Sequence, residues 1–183
     1  MAIWNYRMAL VPRESTIQHF SVLPGKVPDI DDLWPHLWKG YQLDDKLKET
    51  LLQFGPELCS WSEEIRVWGD LDGSTIEIIL SPSGSIEEIT FKFDLRDECQ
   101  EAIIRLCNFA INYDLLLLTS EADVIKSEPS LLAQKIRSST AFLSLDDPER
   151  AFRAAATAIE AREAKEKSEL HRPTIAPELP KKK

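Results

Sequence analysis

The chain has 183 residues, 43% of them hydrophobic, and a formal net charge of −9. That is enough for a domain with a true core, and no apolar run approaches the roughly 18 residues that a membrane span needs. From residue 161 onward seven Lys/Arg stand against four Asp/Glu, a charge of +3, which leaves 15 basic and 27 acidic residues, −12, in the body. So acidic a body argues against nonspecific nucleic-acid binding, which rests on neutralising phosphates with Lys and Arg. It suits a basic protein partner, or solubility alone.

The opening run "MAIWNYRMALVPRES" lacks a charged lead followed by an apolar block, so no secretory signal is expected. The three cysteines, Cys59, Cys99 and Cys107, are odd in number and lack metal-type spacing. A reduced, cytoplasmic protein is the expectation.

Residues 3–11, "IWNYRMALV", are rich in aromatic and branched side chains and predict a first strand. "STIQHFSVLPG" is expected to return as its hairpin partner, closed by Pro24-Gly25. Residues 29–55 read as helical, with Leu33, Leu37, Trp38 and Tyr41, and then Leu47, Leu51 and Phe54, at helical spacing. Pro35 and Gly40 divide this stretch, Asp44 is a candidate N-cap for the second helix, and Gly55-Pro56 is a stop.

Residues 65–68, 75–80 and 86–95 predict three further strands. In the last of these Ile89, Phe91, Phe93 and Leu95 alternate with Glu88, Thr90, Lys92 and Asp94, the pattern of a sheet with one covered and one wet face. A helix over 97–113 is expected to cover it with Ala102, Ile103, Leu106, Phe109, Ala110 and Tyr113. "LLLLTSEADVI" predicts a buried strand, a polar turn and a short return; Pro129 then opens a helix carrying Leu131, Leu132 and Ile136. Residues 141–145 are ambiguous between strand and linker, and Asp147-Pro148 begins a long C-terminal helix. The expectation is one α+β domain over 1–160, an antiparallel sheet of five or six strands packed by helices, followed at 161–183 by a charged helix extension and a basic, proline-containing, disordered tail.

The loop "DLDGST" admits two readings. In one it is a hairpin turn, because Asp-Gly is a strong turn dipeptide between "IRVW" and "TIEIIL". In the other it resembles the nucleophile loop of the haloacid dehalogenase-like phosphohydrolases, since "LLLLTS", Lys135 and "FLSLDD" follow in the order of that family's other motifs. The resemblance implies a Rossmann-like fold, Asp70 as nucleophile, Asp72 as acid/base, and Thr119 and Lys135 as phosphoryl ligands. It also implies a Mg²⁺ held by Asp70, Asp146 and Asp147, the metal and lysine neutralising the phosphoryl oxygens. Against it, Arg66 and Gly69 suit a central parallel strand poorly, and Asp147 already serves as a helix cap. An EF-hand register fails, because it places Trp68 first and Ile79 twelfth. His19, His36 and His171 show no metal spacing.

Two surfaces are candidates for a partner. Trp34 and Trp38 lie four apart beside Asp29, Asp31 and Asp32, although most tryptophans of such a domain belong to the core. The wet sheet face carries Thr75, Glu77, Glu88, Thr90, Lys92 and Asp94, with Asp70 and Asp72 at its rim, and would equally be an ordinary solvated face. The run "WGDLDGSTIEI" through "FDLRDE", "LLLLTSEADVI" and "DDPERAF" resembles small uncharacterised bacterial proteins, some of them similar to immunity proteins of toxin systems. That resemblance implies a cytoplasmic, noncatalytic, cofactor-free domain that occludes a toxin's basic surface. The alternatives are the Mg²⁺-dependent phosphohydrolase and a structural or oligomerising module built on the long helix.

Overall fold

The computed structural model describes residues 4–27 and 36–146. Its frame is a seven-stranded sheet in the order β2-β3-β4-β5-β1-β6-β7, with every neighbouring pair antiparallel. The strands are β1 (Asn5–Pro12), β2 (Glu57–Leu58), β3 (Ile65–Gly69), β4 (Thr75–Leu80), β5 (Ile86–Asp94), β6 (Leu115–Leu118) and β7 (Val124–Ile125). The helices are α1 (Arg13–Phe20), α2 (Asp45–Leu51), α3 (Gln100–Asn112), α4 (Pro129–Arg137) and α5 (Thr140–Asp146). The α+β class and the antiparallel sheet agree with expectation; the strand number is seven because each edge ends in a two-residue strand. Edges that short offer little backbone for another chain to pair with.

Local signals explain most boundaries. Asp44 Oδ1 accepts from the Leu47 N–H at 2.7 Å and caps α2. Pro129 opens α4, where its missing N–H costs nothing. The stripe on α3 buries Ile103, Leu106, Phe109 and Ala110 against Met8, Leu10, Ile76, Ile78, Phe91 and Phe93 of the strands. Phe91 meets the rings of Phe93 and Phe54 at 4.6 and 5.4 Å, spacings typical of tilted aromatic pairs.

Two segments depart from expectation. "STIQHF" is not a strand; it forms α1 directly after β1, with Thr16 Oγ1 donating to the Pro12 carbonyl at 2.8 Å. The reason is topological: β1 is paired on one side by β5 and on the other by β6, so no edge remains for a hairpin partner. Residues 141–145 are helical within α5, which packs on α4 and β1. The second sheet face also differs from the expected wet face. Over β1 and β6 it is covered by an apolar cluster of Val11, Val27, Leu37, Leu116 and Leu118 with Phe20 of α1. Only over β3, β4 and β5 is it partly open. The expected long C-terminal helix, the basic tail, Trp34 and Asp147 lie outside the described residues.

Candidate interaction surface

Antiparallel pairing decides what gathers at each edge of the sheet. β3, β5 and β6 all run toward the same edge, where β4 and β1 begin. That edge therefore collects the β3–β4 turn, the β5–α3 loop and the β6–β7 turn. It carries Asp70 and Asp72, then Asp94, Asp97 and Glu98, then Glu121 and Asp123. Asp70, Asp72, Asp97, Glu98 and Glu121 are exposed. Arg96, Lys92, Lys135 and Lys26 are among the cations placed beside them.

The "DLDGST" loop is the turn of the β3–β4 hairpin. Asp70 Oδ1 accepts from the Asp72 N–H at 3.0 Å, the Gly73 N–H donates to the Asp70 carbonyl at 3.0 Å, and the Asp70 N–H donates to the Ser74 carbonyl at 3.3 Å. The glycine that the turn needs is Gly69 and not Gly73. Gly69 has φ 128°, and a Cβ there would sit 2.4 Å from the Ser74 carbonyl oxygen.

Two cations of the β5 end brace the tip from behind. Lys92 Nζ donates to the Leu71 carbonyl at 3.3 Å, and Arg96 Nη2 donates to the Asp72 carbonyl at 3.2 Å. Arg96 Nε also reaches Asp94 Oδ1 at 3.0 Å, while its guanidinium lies 4.8 Å from the centre of the Trp4 ring. Asp94 is only 2% exposed, so it positions Arg96 and is not itself a contact for a partner. Hydrogen bonding from Arg96 holds the Asp94 carboxyl below the usual carboxylate range, against the opposing effect of burial. Between Asp70 and Asp72, Leu71 stands 68% exposed. The product is a fixed turn that presents one apolar side chain between two carboxylates.

The phosphohydrolase residues are not brought together. Four inter-strand steps of about 4.8 Å separate β3 from β6, so Asp70 and Thr119 lie roughly 19 Å apart along the sheet edge. Thr119 is buried and accepts from the Glu121 and Asp123 N–H groups at 3.2 and 3.1 Å, ordering the β6–β7 turn. Lys135 Nζ pairs with Asp123 at 3.0 Å. Asp146 ends α5, which packs on α4 and β1. Asp147, one of the three residues implied for Mg²⁺, lies outside the described residues, and no cluster of three or more His, Cys, Asp or Glu that could hold a metal ion occurs among the described residues. The strand before Asp70 is antiparallel to the one after it, whereas the family's loop follows a central parallel strand.

Of the wet-face candidates, Thr75 is buried, whereas Glu77, Glu88, Thr90 and Lys92 are half-buried beside Val67 and Ile79. Trp38 is 2% exposed and packs in the core, not on a surface open to a partner. Trp61 is the reverse, 88% exposed at the opposite edge before β3. Cys99 borders a cavity of about 510 Å³ between α3, α4 and Phe142. Its Sγ donates to the Asp94 carbonyl at 3.2 Å, and burial, then Asp94 and Asp97, push the thiol pKa up.

Leu71, Arg96 and Trp4 were missed by pattern reading. The signal available was the triplet "DLD", an apolar residue inside a turn where polar ones are the rule. No protein-family model matches the chain, and comparison with curated proteins and with solved structures gave no match. No helix among the described residues is long and apolar enough to cross a membrane.

Proposed function

We propose that the chain is a noncatalytic, cytoplasmic protein-binding domain whose acidic sheet edge engages a basic protein surface, in the manner of an immunity protein that occludes a toxin. The observation that carries this reading is the braced β3–β4 turn, with exposed Leu71 between Asp70 and Asp72. A turn ordered before binding costs little entropy when a partner closes on it. The acids along the edge would speed encounter with a cationic surface and fix its orientation, and the apolar residue would supply desolvated contact at the centre.

The test is recovery of a stoichiometric partner from the native host, followed by its titration with variants. Leu71→Glu and the charge reversal Asp72→Lys are expected to weaken the complex at least tenfold while moving stability by no more than about 0.5 kcal/mol. Reversal at Glu77 and Glu88 separates the open sheet face from its rim. Affinity for the partner is expected to fall with added salt. A complex indifferent to Leu71 and Asp72 would refute the placement, and magnesium-dependent turnover of a phosphate ester lost in Asp70→Asn would overturn the noncatalytic reading.

A further inference from the structure

Between α3 and α4 the apolar core reaches an open groove. The cavity of about 510 Å³ there is lined by the buried Leu95, Ile103 and Ile136 and by Ile104, Ala133 and Phe142. Ile104 is 42% exposed, and Ala133 and Phe142 are half-buried. The polar lining is of another kind: Asp97, Glu98, Gln100, Ser130 and Arg137 are all exposed, and Cys99 is half-buried. Charges of both signs therefore border an apolar centre. A groove of this chemistry between two helices suits a third helix whose apolar stripe has charged flanks.

The chain itself carries such a stripe, and in the right place. Phe142 belongs to α5, which ends at Asp146, the last described residue before the C-terminal segment. In that segment, outside the described residues, Phe152, Ala155, Ala156 and Ile159 recur at helical spacing, flanked by Glu149, Arg153, Glu160 and Arg162. The lengths match. A helical stripe from Phe152 to Ile159 covers about 10 Å, within the roughly 13 Å of the nine-residue α4. The six residues from Asp146 to Phe152 reach at most about 20 Å. That exceeds the roughly 10 Å of the seven-residue α5, so Phe152 can return to the groove beside Phe142. Small residues on both sides, Ala155 and Ala156 in the stripe and Ala133 in the groove, permit two helices to approach closely.

We propose that the groove between α3 and α4 is the docking site of the chain's own residues 148–160, with Phe152 and Ile159 set against Ile104 and Phe142 and Cys99 covered beneath them. Cys99 supplies the readout, because it borders the groove while Cys107 is fully buried elsewhere in the core. The full chain carrying Cys59→Ser, which removes the exposed thiol, is alkylated with iodoacetamide with and without Phe152→Asp and Ile159→Asp. The double change is expected to speed modification of Cys99 about tenfold or more while Cys107 stays unmodified. An unchanged Cys99 rate would overturn the proposal. Should Cys107 react as well, the variant has unfolded, and the wild type decides: a nuclear Overhauser contact between the Phe152 ring and the Ile104 methyl groups is expected, and its absence overturns the docking. The same contact found only between differently labelled chains in a mixed sample would assign the groove to a second copy and equally overturn it.

Discussion

The two faces of the sheet are built from the same strands, and they do different work. One face sends Met8, Leu10, Ile76, Ile78, Phe91 and Phe93 under α3 into a continuous core. On the other, residues one position away in sequence, Glu77, Thr90 and Lys92, stay half-exposed over β3, β4 and β5, while Val11, Leu116 and Leu118 are sealed under α1 and Leu37. A period of two assigns side chains to faces, but it does not say which face is covered, or over which strands. The difference teaches that the continuous core lies behind the sheet, whereas the open strands and their edge keep polar side chains at the surface.

The largest expected effect is at Phe91, 1% exposed on the covered face. Phe91→Ala should cost about 4 kcal/mol, read as a fall in urea midpoint, against the roughly 5–15 kcal/mol of a typical domain. A loss below about 1 kcal/mol would break the contrast between the faces. Next comes Gly69, where the turn backbone leaves no room for a Cβ. Gly69→Ala should cost about 2 kcal/mol and loosen the β3–β4 turn, seen as faster amide exchange at Gly73. A neutral outcome would show that the tip is not fixed.

The smallest effect is tied to pH. Because Arg96 lowers the Asp94 pKa in the folded state, this carboxylate contributes stability that is fully present above the unfolded value. The contribution is lost as pH falls through the folded value. The advantage of the wild type over Asp94→Asn should therefore be constant near neutrality and shrink below about pH 4, measured by denaturation across pH. An advantage that grew on acidification would contradict the Arg96 pairing.

Much of this was legible in the residues. The alternation in β5, the stripe on α3, the Asp44 cap and Pro129 each report a local rule, and each appears where that rule puts it. The hairpin at Asp70 was one of two open readings, since the turn dipeptide Asp72-Gly73 lies inside the same six residues that resemble a nucleophile loop. The errors were of another kind. "STIQHF" has the composition of a strand, yet it is helical because both sides of β1 were already taken by segments some 80 and 105 residues along the chain. Trp38 had the spacing of an exposed pair with Trp34 and is buried instead.

The sequence alone determined the α+β class, most of the strand runs and helix starts and the acidity of the body, because propensity, period and charge are properties of neighbouring residues. Only the tertiary structure decided strand order and, through it, the gathering of Asp70, Asp94 and Glu121 at one edge. It also decided the bracing of Leu71 and Asp72 by Lys92 and Arg96 and the enclosure of the Trp38 indole. Those features join residues more than twenty positions apart, and no local preference encodes which of the possible long-range pairings closes the sheet.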